Sequence, residues 1–324
     1  MPHVLAAGKL HDSGLRVLEE AAGISFDHVE EISLESMLPK LDQAEGLILR
    51  TQPLAAESVA LAPHLKIVSR HGVGYDAVDV QALNARGIPL TIVGDANSIA
   101  VAEHAMMQML AAIKRLVRND RATRGGDWGY RNRLEAQELH GKRLLILGFG
   151  RIGRRLAPMA AAFGMSVHAY DPFVTALDDL PVTLESDLTA ALTAADVISV
   201  HTPKTDAPLI GAAELAAMKP SAVLVNAARG GVVDEPALIA ALSEGRLGAA
   251  ALDVFDSEPP ATDDPLLALD QIVLTPHIAG LTAESAERMA IASAQNVVDF
   301  FAGRIDPALV VNAEHCDLAA GGRG

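Results

Sequence analysis

The chain has 324 residues, of which 50% are hydrophobic and only 3% aromatic, and its formal net charge is −15 at pH 7. This length suits two domains of ordinary size, and alanine-rich helices with Val, Ile and Leu strands indicate a layered α/β protein. The negative charge argues against nonspecific binding of nucleic acid or of an anionic membrane surface, although a few local arginines still suit a small anionic ligand.

The N-terminus and the cysteine content predict a cytoplasmic protein. Cys316 is the single cysteine, so no intramolecular disulfide is expected, and residues 1–10 lack the basic start and apolar core of a secretory signal. The longest apolar stretch, 99–113, contains Glu103 and His104 and falls short of the roughly 18 uncharged residues of a membrane span. We expect no membrane segment and find no metal-binding motif.

The first third of the chain alternates strands with helical patterns and predicts a small α/β lobe. A helix over 98–118 then leaves this lobe, because its apolar residues recur with helical spacing. The hydrophilic stretch 119–140 follows, and its Trp128 and Tyr130 suit an arm that packs on another subunit; a surface loop with one buried tryptophan fits equally well. The strands predicted in this lobe cover 4–7, 46–50 and 66–69.

A glycine-rich run in a βαβ setting predicts a dinucleotide site. Four apolar residues, 144–147, indicate a buried parallel strand that leads directly into Gly148, Gly150 and Gly153, and the next strand ends at Asp171. The first glycine permits a tight turn, the second lets the backbone approach a pyrophosphate, and the third lets helix pack on strand. Asp171 is expected to bind ribose hydroxyls and repel a 2′-phosphate, so the sequence favours NAD over NADP. The alternative is a glycine turn in an ordinary α/β domain.

The second lobe alternates strand and helix and predicts a doubly wound parallel sheet of six strands. A last helix over 283–301 is expected to return to the first lobe. We therefore assign 1–97 with 285–324 to a substrate-binding domain and 98–284 to an NAD-binding domain, and expect the site in the cleft between the lobes. The predicted strands cover 144–147, 167–170, 197–200, 223–226, 249–254 and 272–275.

Three charged residues follow the last three strands of this lobe. Arg229, Glu258 and His277 each come shortly after an apolar strand, and ligands of open parallel sheets bind at the carboxyl ends of strands. An arginine can hold a carboxylate with two hydrogen bonds, a histidine can move a proton near neutral pH, and a carboxylate can orient it. The three together suit hydride transfer at a hydroxyl carbon, although His277 alone fits a structural histidine as well.

These features resemble the D-isomer-specific 2-hydroxyacid dehydrogenases over nearly the whole chain. The resemblance implies a two-lobed α/β protein, with a Rossmann-type doubly wound parallel sheet and a smaller flavodoxin-like substrate-binding domain. It also implies a homodimer, and the candidate contacts are the helix over 98–118 and the stretch 119–140. The segments that carry it are 71–76, 97–103, 148–153 with 170–172, 201–203, 226–231, 252–255 with 258–259, and 276–277.

The same resemblance implies a role for individual residues. His277 is the acid/base, Glu258 raises its pKa and orients it, and Arg229 binds the substrate carboxylate and polarises the keto oxygen. The backbone N–H groups of Val73 and Gly74 also hold the carboxylate, and Asp253 meets the nicotinamide carboxamide. The implied cofactor contacts are Gly148, Gly150, Arg151, Ile152, Gly153, Asp171, Thr202, Ala227, Arg229, Asp253 and His277.

The identity of the 2-hydroxy acid is left open by the sequence. Arg50 and Arg70 each end a first-lobe strand and suit a second anionic group, and the segments 68–80 and 226–235 are similar to phosphoglycerate dehydrogenases. The alternative for Arg70 is an ion pair with a neighbour such as Asp76. The two substrate predictions are therefore a phosphate-bearing acid such as 3-phosphoglycerate, and hydroxypyruvate or glyoxylate.

A rival of another class is an NAD-sensing corepressor-like binding protein, because the same fold serves that role with similar active-site residues. The chain shows no appended low-complexity extension, which favours the enzyme. Formate dehydrogenase is disfavoured, since that relative has glutamine in the role of Glu258. The chain also ends soon after the returning helix, so we expect no C-terminal regulatory domain.

Overall fold

The computed structural model describes residues 1–177, 180–318 and 321, and these form two compact units. Unit 1 comprises Met1–Asn97 together with the chain from Leu281 onward, and unit 2 comprises Ser98–Gly280. The boundary after Asn97 coincides with the predicted one. The boundary after Gly280 lies four residues before the one predicted after residue 284. Residues 319–320 and 322–324 of the predicted 285–324 segment lie outside the described part.

The strands in the described ranges all run parallel within two sheets. They are β1 (His3–Ala7), β2 (Ser25–Val29), β3 (Gly46–Leu49), β4 (Ile67–Arg70), β5 (Leu90–Thr91), β6 (Arg143–Leu147), β7 (Ser166–Tyr170), β8 (Val182–Glu185), β9 (Val197–Val200), β10 (Val223–Asn226), β11 (Ala249–Leu252) and β12 (Ile272–Leu274).

The α-helices connect these strands, and short 3₁₀ turns occur at Leu38–Gln43, Trp128–Arg133, Pro265–Ala268, Pro307–Leu309 and Ala313–His315. Among the residues that the structure describes, no helix is both long and apolar enough to cross a membrane. The helices are α1 (Asp12–Glu20), α2 (Leu34–Met37), α3 (Ala56–Ala60), α4 (Val80–Asn84), α5 (Ser98–Ile113), α6 (Leu116–Arg124), α7 (Arg151–Ala162), α8 (Leu188–Ala194), α9 (Ala212–Ala217), α10 (Glu235–Ser243) and α11 (Ala283–Phe301).

Unit 1 is a five-stranded sheet of order β2-β1-β3-β4-β5. Alternate residues of its central strands point to opposite faces, so Leu5 and Leu47 join one hydrophobic cluster while Val4 and Ile48 join another. The second cluster is covered by α1 and α11. These helices approach closely at Gly14, where a Cβ atom would lie 2.7 Å from the backbone of α11.

Unit 2 is a seven-stranded sheet of order β12-β11-β10-β9-β6-β7-β8. Successive strands are added on one side of β6 as far as β8 and on its other side from β9 onward. The switch point, where ligands of such sheets bind, therefore lies between β6 and β9. Hydrophobic clusters cover both faces, one with α5 and α7 and the other with α8, α9 and α10. Because the strands are parallel, the carboxyl ends of β6, β7 and β9 to β12 lie along the same edge of the sheet.

The predicted helix over 98–118 is wrong at its C-terminal end. Helix α5 ends at Ile113, Arg115 adopts a left-handed conformation with φ of 55°, and α6 begins at Leu116. Tertiary contacts cause the break, because the Arg115 guanidinium donates to the Gly248 carbonyl at 2.9 Å and the Gln137 amide donates to the Ile113 carbonyl at 3.0 Å.

The stretch predicted as an arm or loop over 119–140 contains the end of α6 and the 3₁₀ turn Trp128–Arg133. Trp128 is 70% exposed, with the Arg131 guanidinium 5.7 Å from its ring centroid. A loop with one buried tryptophan is therefore wrong, and an aromatic side chain lies on the surface of unit 2.

Strands β2, β5 and β8 are not predicted by the sequence, and the sheet of the second lobe has seven strands where six were predicted. All three lie at sheet edges. Strand β5 has two residues, β2 is half-buried throughout, and β8 has two exposed residues between half-buried ends. Edge strands bury little apolar surface, so they lack the continuous apolar run that identifies the central strands.

Candidate active site

The glycine-rich turn after β6 is shaped by two close approaches and one open glycine. Gly148 has φ of 88°, and a Cβ atom there would lie 2.6 Å from the His201 carbonyl oxygen. A Cβ at Gly153 would lie 2.7 Å from the Gly148 carbonyl oxygen, so helix α7 packs tightly on β6. Gly150 faces open space and precedes α7 without a side-chain cap, which leaves the first N–H groups of the helix directed at that space.

Asp171 ties the end of β7 to this turn. One carboxylate oxygen accepts the Phe149 amide at 2.8 Å, and the other accepts the Phe173 amide at 2.9 Å. Each oxygen keeps a further lone pair for a hydroxyl donor. Arg154 lies with its guanidinium 5.2 Å from the Phe149 ring centroid and donates to the Ala176 carbonyl. The structure therefore brings the predicted ribose-binding carboxylate beside the predicted pyrophosphate turn.

Two buried polar atoms beside the turn have no hydrogen-bond partner among the described residues. They are the Thr202 hydroxyl and Nδ1 of His201. Ile152 and Ala227, both predicted to line the cofactor, pack in one apolar cluster with Val101. An open glycine backbone, an uncapped helix N-terminus and an unpaired hydroxyl fit a dinucleotide that supplies acceptor oxygens.

Arg229 lies in the turn after β10, and Asn226 shapes that turn. The Asn226 side chain donates to the Arg229 carbonyl and accepts the Ala228 amide, both at 3.0 Å. The Arg229 guanidinium donates to the Ala228 carbonyl at 2.6 Å. Gly230 allows this turn to lie against the turn after β11, because a Cβ atom there would lie 1.8 Å from the Phe255 carbonyl oxygen.

His277 and Glu258 form a direct pair. Nδ1 of His277 lies 2.6 Å from Oε2 of Glu258, whose other oxygen accepts the Phe255 amide at 3.0 Å. His277 has φ of 51°, a conformation uncommon for a residue other than glycine and often found at functional sites. Its Nε2 has no partner among the described residues, and the side chain is 51% exposed. The pair is thus oriented with one nitrogen available to a ligand.

The charges around the pair shift both pKa values. The hydrogen bond to Glu258 raises the pKa of His277, against the opposing effects of burial and of Arg229. Burial raises the pKa of Glu258, but the hydrogen bonds from His277 and from the Phe255 amide outweigh burial and leave the pKa below its ordinary value. Arg229 affects both pKa values, so it lies near the pair. The three residues predicted at the ends of β10, β11 and β12 are therefore brought together.

Asp253 is held by hydrogen bonds within the protein. It is 0% exposed, and its carboxylate accepts the Thr275 hydroxyl at 2.5 Å and the amides of Ile278 and Ala279 at 3.0 and 2.8 Å. These donors belong to the turn that carries His277. Asp253 therefore anchors that turn in the structure, while its contact with the nicotinamide stays a prediction.

Arg50 and Arg70, the predicted substrate cations of unit 1, follow β3 and end β4. Arg70 donates to three backbone carbonyls, those of Gly74 at 2.9 Å, Leu49 at 3.0 Å and Arg50. Much of its guanidinium is thus engaged in holding the strand ends together. Arg50 is half-buried beside Gly8. Substrate binding by either arginine stays a prediction.

The turn after β4 also carries Val73 and Gly74, whose N–H groups have no acceptor among the described residues. His71 precedes them and is buried, with its Nε2 unpartnered within the described part of the chain. Burial, aided by the charge of Arg50, lowers the pKa of His71 to about 4. His71 is therefore neutral at physiological pH.

No role is predicted from the sequence for Gln108, Thr275 or Asn226. Thr275 donates to Asp253, Asn226 donates to the Arg229 carbonyl, and Gln108 donates to Thr275. The available signals were weak. Gln108 is a lone amide within an apolar helix, and Thr275 directly follows β12. Neither pattern predicts a partner, because the partners lie 167 and 22 positions away in the chain.

Comparisons with known proteins point to one family. Residues 106–279 match the model of the D-isomer specific 2-hydroxyacid dehydrogenase NAD-binding domain. The chain is 38% identical to the D-3-phosphoglycerate dehydrogenase of Methanocaldococcus jannaschii over 90% of its own length and 55% of that enzyme. It is 37% identical to the glyoxylate reductase of Aeropyrum pernix over 95% of its length and 96% of the relative.

Among solved structures, the D-lactate dehydrogenase of Aquifex aeolicus, complexed with NAD and lactic acid, superposes with a TM-score of 0.86 at 29% identity. That similarity covers 95% of this chain and 98% of the other. The chain spans between 54% and 58% of the length of the phosphoglycerate dehydrogenases it matches first. The resemblance found in the sequence is confirmed, and the chain belongs to the D-isomer specific 2-hydroxyacid dehydrogenase family.

Proposed function

We propose that the protein is an NAD-dependent oxidoreductase that interconverts a D-2-hydroxy acid and its 2-keto acid. The observation that carries this proposal is the 2.6 Å contact between His277 and Glu258 beside Arg229, on the same sheet edge as the glycine-rich turn. A histidine oriented by a carboxylate can act as an acid and a base, and an arginine beside it can bind a carboxylate. A corepressor-like binding protein can carry similar residues, so turnover is what separates the two functions.

The residues divide the reaction between them. Exchange of a hydride with carbon C2 of the acid is the chemistry that a bound NAD supplies. During oxidation, Nε2 of His277 takes the hydroxyl proton, and during reduction the same atom returns it to the keto oxygen. Arg229 holds the carboxylate and stabilises the charge on the oxygen. Glu258 holds Nδ1 and favours the charged imidazole, so both protonation states of His277 are accessible near neutral pH.

The substrate class is a small 2-keto acid, and we retain two candidates within it. Arg50 beside the turn with the free N–H groups of Val73 and Gly74 favours a second anion, as in 3-phosphohydroxypyruvate. The 37% identity to a glyoxylate reductase, in an alignment that covers 96% of that relative, favours glyoxylate or hydroxypyruvate. The engagement of Arg70 with three carbonyls reduces the number of free cations and supports the second candidate.

The test is oxidation of NADH, followed at 340 nm, with a panel of 2-keto acids: 3-phosphohydroxypyruvate, sulfopyruvate, hydroxypyruvate, glyoxylate, pyruvate and branched-chain keto acids. Turnover of at least one supports the proposal, and the preferred acid decides between the two candidates. Absence of turnover with all of them, together with retained NAD binding, would favour the binding protein.

We also propose a homodimer and a cytoplasmic location. Trp128, Leu134 and Leu116 are 70%, 87% and 56% exposed on or next to α6 and the following 3₁₀ turn. Exposed apolar side chains clustered in one segment are typical of protein interfaces. Sedimentation of the protein and of a Trp128→Ser, Leu134→Ser variant tests the assembly, because a shift of the variant to monomer is expected.

A further inference from the structure

A chain of side-chain hydrogen bonds leads from the middle of α5 to the turn that carries His277. Gln108 is 0% exposed on α5, and its side-chain nitrogen lies 3.1 Å from the Thr275 hydroxyl. That hydroxyl lies 2.5 Å from the Asp253 carboxylate, which in turn accepts the amides of Ile278 and Ala279. All of these residues belong to unit 2.

The direction of every proton in this chain is fixed by its two ends. An amide nitrogen only donates and a carboxylate only accepts, so the single proton of the Thr275 hydroxyl is directed at Asp253. His104 lies 3.0 Å from the same hydroxyl and 3.4 Å from the same carboxylate oxygen, so its Nε2 must also donate. Burial lowers the pKa of His104 against the opposing charge of Asp253, which favours the neutral ring, and the two contacts require that ring to carry its proton at Nε2.

Asp253 needs these donors because it is a fully buried carboxylate without a lysine or arginine among its described partners. An ionised buried group is costly unless several hydrogen bonds satisfy it. Two of its donors are the backbone amides that directly follow His277, and the His277 amide donates to the Asp253 carbonyl at 2.8 Å. The position of the carboxylate therefore fixes the turn in which His277 holds its positive φ.

We propose that Gln108 is a positioning residue for His277, acting through Thr275 and Asp253 to hold the catalytic turn in register with Glu258. The inference rests on the proposed function for its kinetic consequence, but its structural content concerns only the orientation of His277. Gln108 touches neither His277 nor Glu258. Its Oε1 is buried without a partner among the described residues, which a purely packing role would avoid by using an apolar side chain.

The test compares Gln108→Met with Gln108→Glu. Methionine keeps the length and removes one of the two donors to the Thr275 hydroxyl, so that His104 alone holds it. We expect kcat for the preferred keto acid to fall about tenfold with KM nearly unchanged. Glutamate offers an acceptor that competes for the Thr275 proton, so a larger fall is expected. Thr275→Val is expected to match Gln108→Met, and Thr275→Ser to recover most of the activity.

A second readout does not depend on turnover. The His277 imidazole is titrated by NMR in the cofactor-free protein, and its signal is identified by its loss in His277→Gln. Around this ring, Glu258 and Asp253 raise the pKa and Arg229 lowers it. In Gln108→Met the Glu258 contact is expected to loosen and the pKa of His277 to fall toward its ordinary value. Thr91→Val is the control, because Thr91 is buried with an unpartnered hydroxyl in unit 1.

Wild-type kcat and an unchanged pKa of His277 in Gln108→Met would overturn the proposal, as would an equal fall of kcat in Thr91→Val. If Thr275→Val does not fold, the Gln108 pair and Thr275→Ser decide. If the wild-type protein turns over no keto acid, the proposed function fails, and the titration of His277 still tests the positioning role.

Discussion

The carboxyl ends of β12 and β4 are both followed by a histidine in a turn, and the structure shifts the pKa values of the two rings in opposite directions. At the end of β12, His277 is paired with Glu258 at 2.6 Å, which raises its pKa. At the end of β4, His71 is buried without a carboxylate partner, and burial with the charge of Arg50 lowers its pKa to about 4. The strand-end position is shared, so the difference comes from the neighbours alone.

The arginines of the two regions differ in the same way. Arg229 lies near the His277 pair, in a turn braced by Asn226. Arg70 instead donates to three backbone carbonyls of its own unit. The position of a side chain at a strand end therefore indicates a ligand site. Its hydrogen-bond partners then show whether the side chain suits a reacting role or holds the turn together. The predictions below test this separation, from the largest expected effect to the smallest.

Replacement of His277 by Asn should reduce kcat by about three orders of magnitude, because the proton donor and acceptor is removed while the volume is nearly kept. His64→Asn is the matched control, since His64 is exposed and lies before the start of β4, not after the end of a strand. Steady-state kinetics with the preferred keto acid measure the effect. Activity of His277→Asn near that of the wild type would remove the distinction between the two strand ends.

Glu258→Gln should make His277 resemble His71 by removing the carboxylate that raises its pKa. Reduction requires protonated His277, so the pH above which kcat for reduction declines should move to lower pH. Oxidation requires the neutral ring, so its rise with pH should begin at lower pH. We expect kcat at neutral pH to fall roughly 10- to 100-fold in the direction of reduction. Unshifted pH profiles in both directions would contradict the role of Glu258.

His71 should make folding less stable in acid. Its pKa in the folded protein is about 4, below the ordinary 6.5, so the unfolded chain binds the proton first as the pH falls. Stability attributable to His71 is therefore complete above pH 6.5 and is lost toward pH 4, by up to about 3 kcal/mol. Urea unfolding at pH 7 and pH 4 should show a smaller difference for His71→Leu than for the wild type. His64→Asn should keep the wild-type difference.

Arg50→Met should have the smallest effect, and one that depends on the substrate. If the end of β3 binds a second anion, KM for 3-phosphohydroxypyruvate rises about tenfold while KM for glyoxylate stays within about twofold. Arg16→Met is the control in the same unit, because Arg16 is exposed on α1. Equal KM values for both acids in Arg50→Met would assign Arg50 a structural role like that of Arg70.

The central strands could be predicted because each buries both faces and leaves a continuous apolar run, as at β6 and β9. The edge strand β8 and the break at Arg115 could not, since the first is half-exposed and the second depends on the Gly248 carbonyl. The α11 range agrees with the predicted 283–301, and its N-terminus is capped by Thr282, whose hydroxyl accepts the Ser285 amide.

The sequence by itself determined the parallel α/β architecture, the family, and the three charged residues at the strand ends, because strand runs and glycine spacing are local patterns. Only the tertiary structure decided which charges meet. Residues distant in the chain are joined by the pair of His277 with Glu258, by the contacts of Arg70 with the Leu49 and Arg50 carbonyls, and by the link from Gln108 to Asp253. A pKa depends on burial and on charges within a few ångströms, and neither quantity exists until the chain has folded.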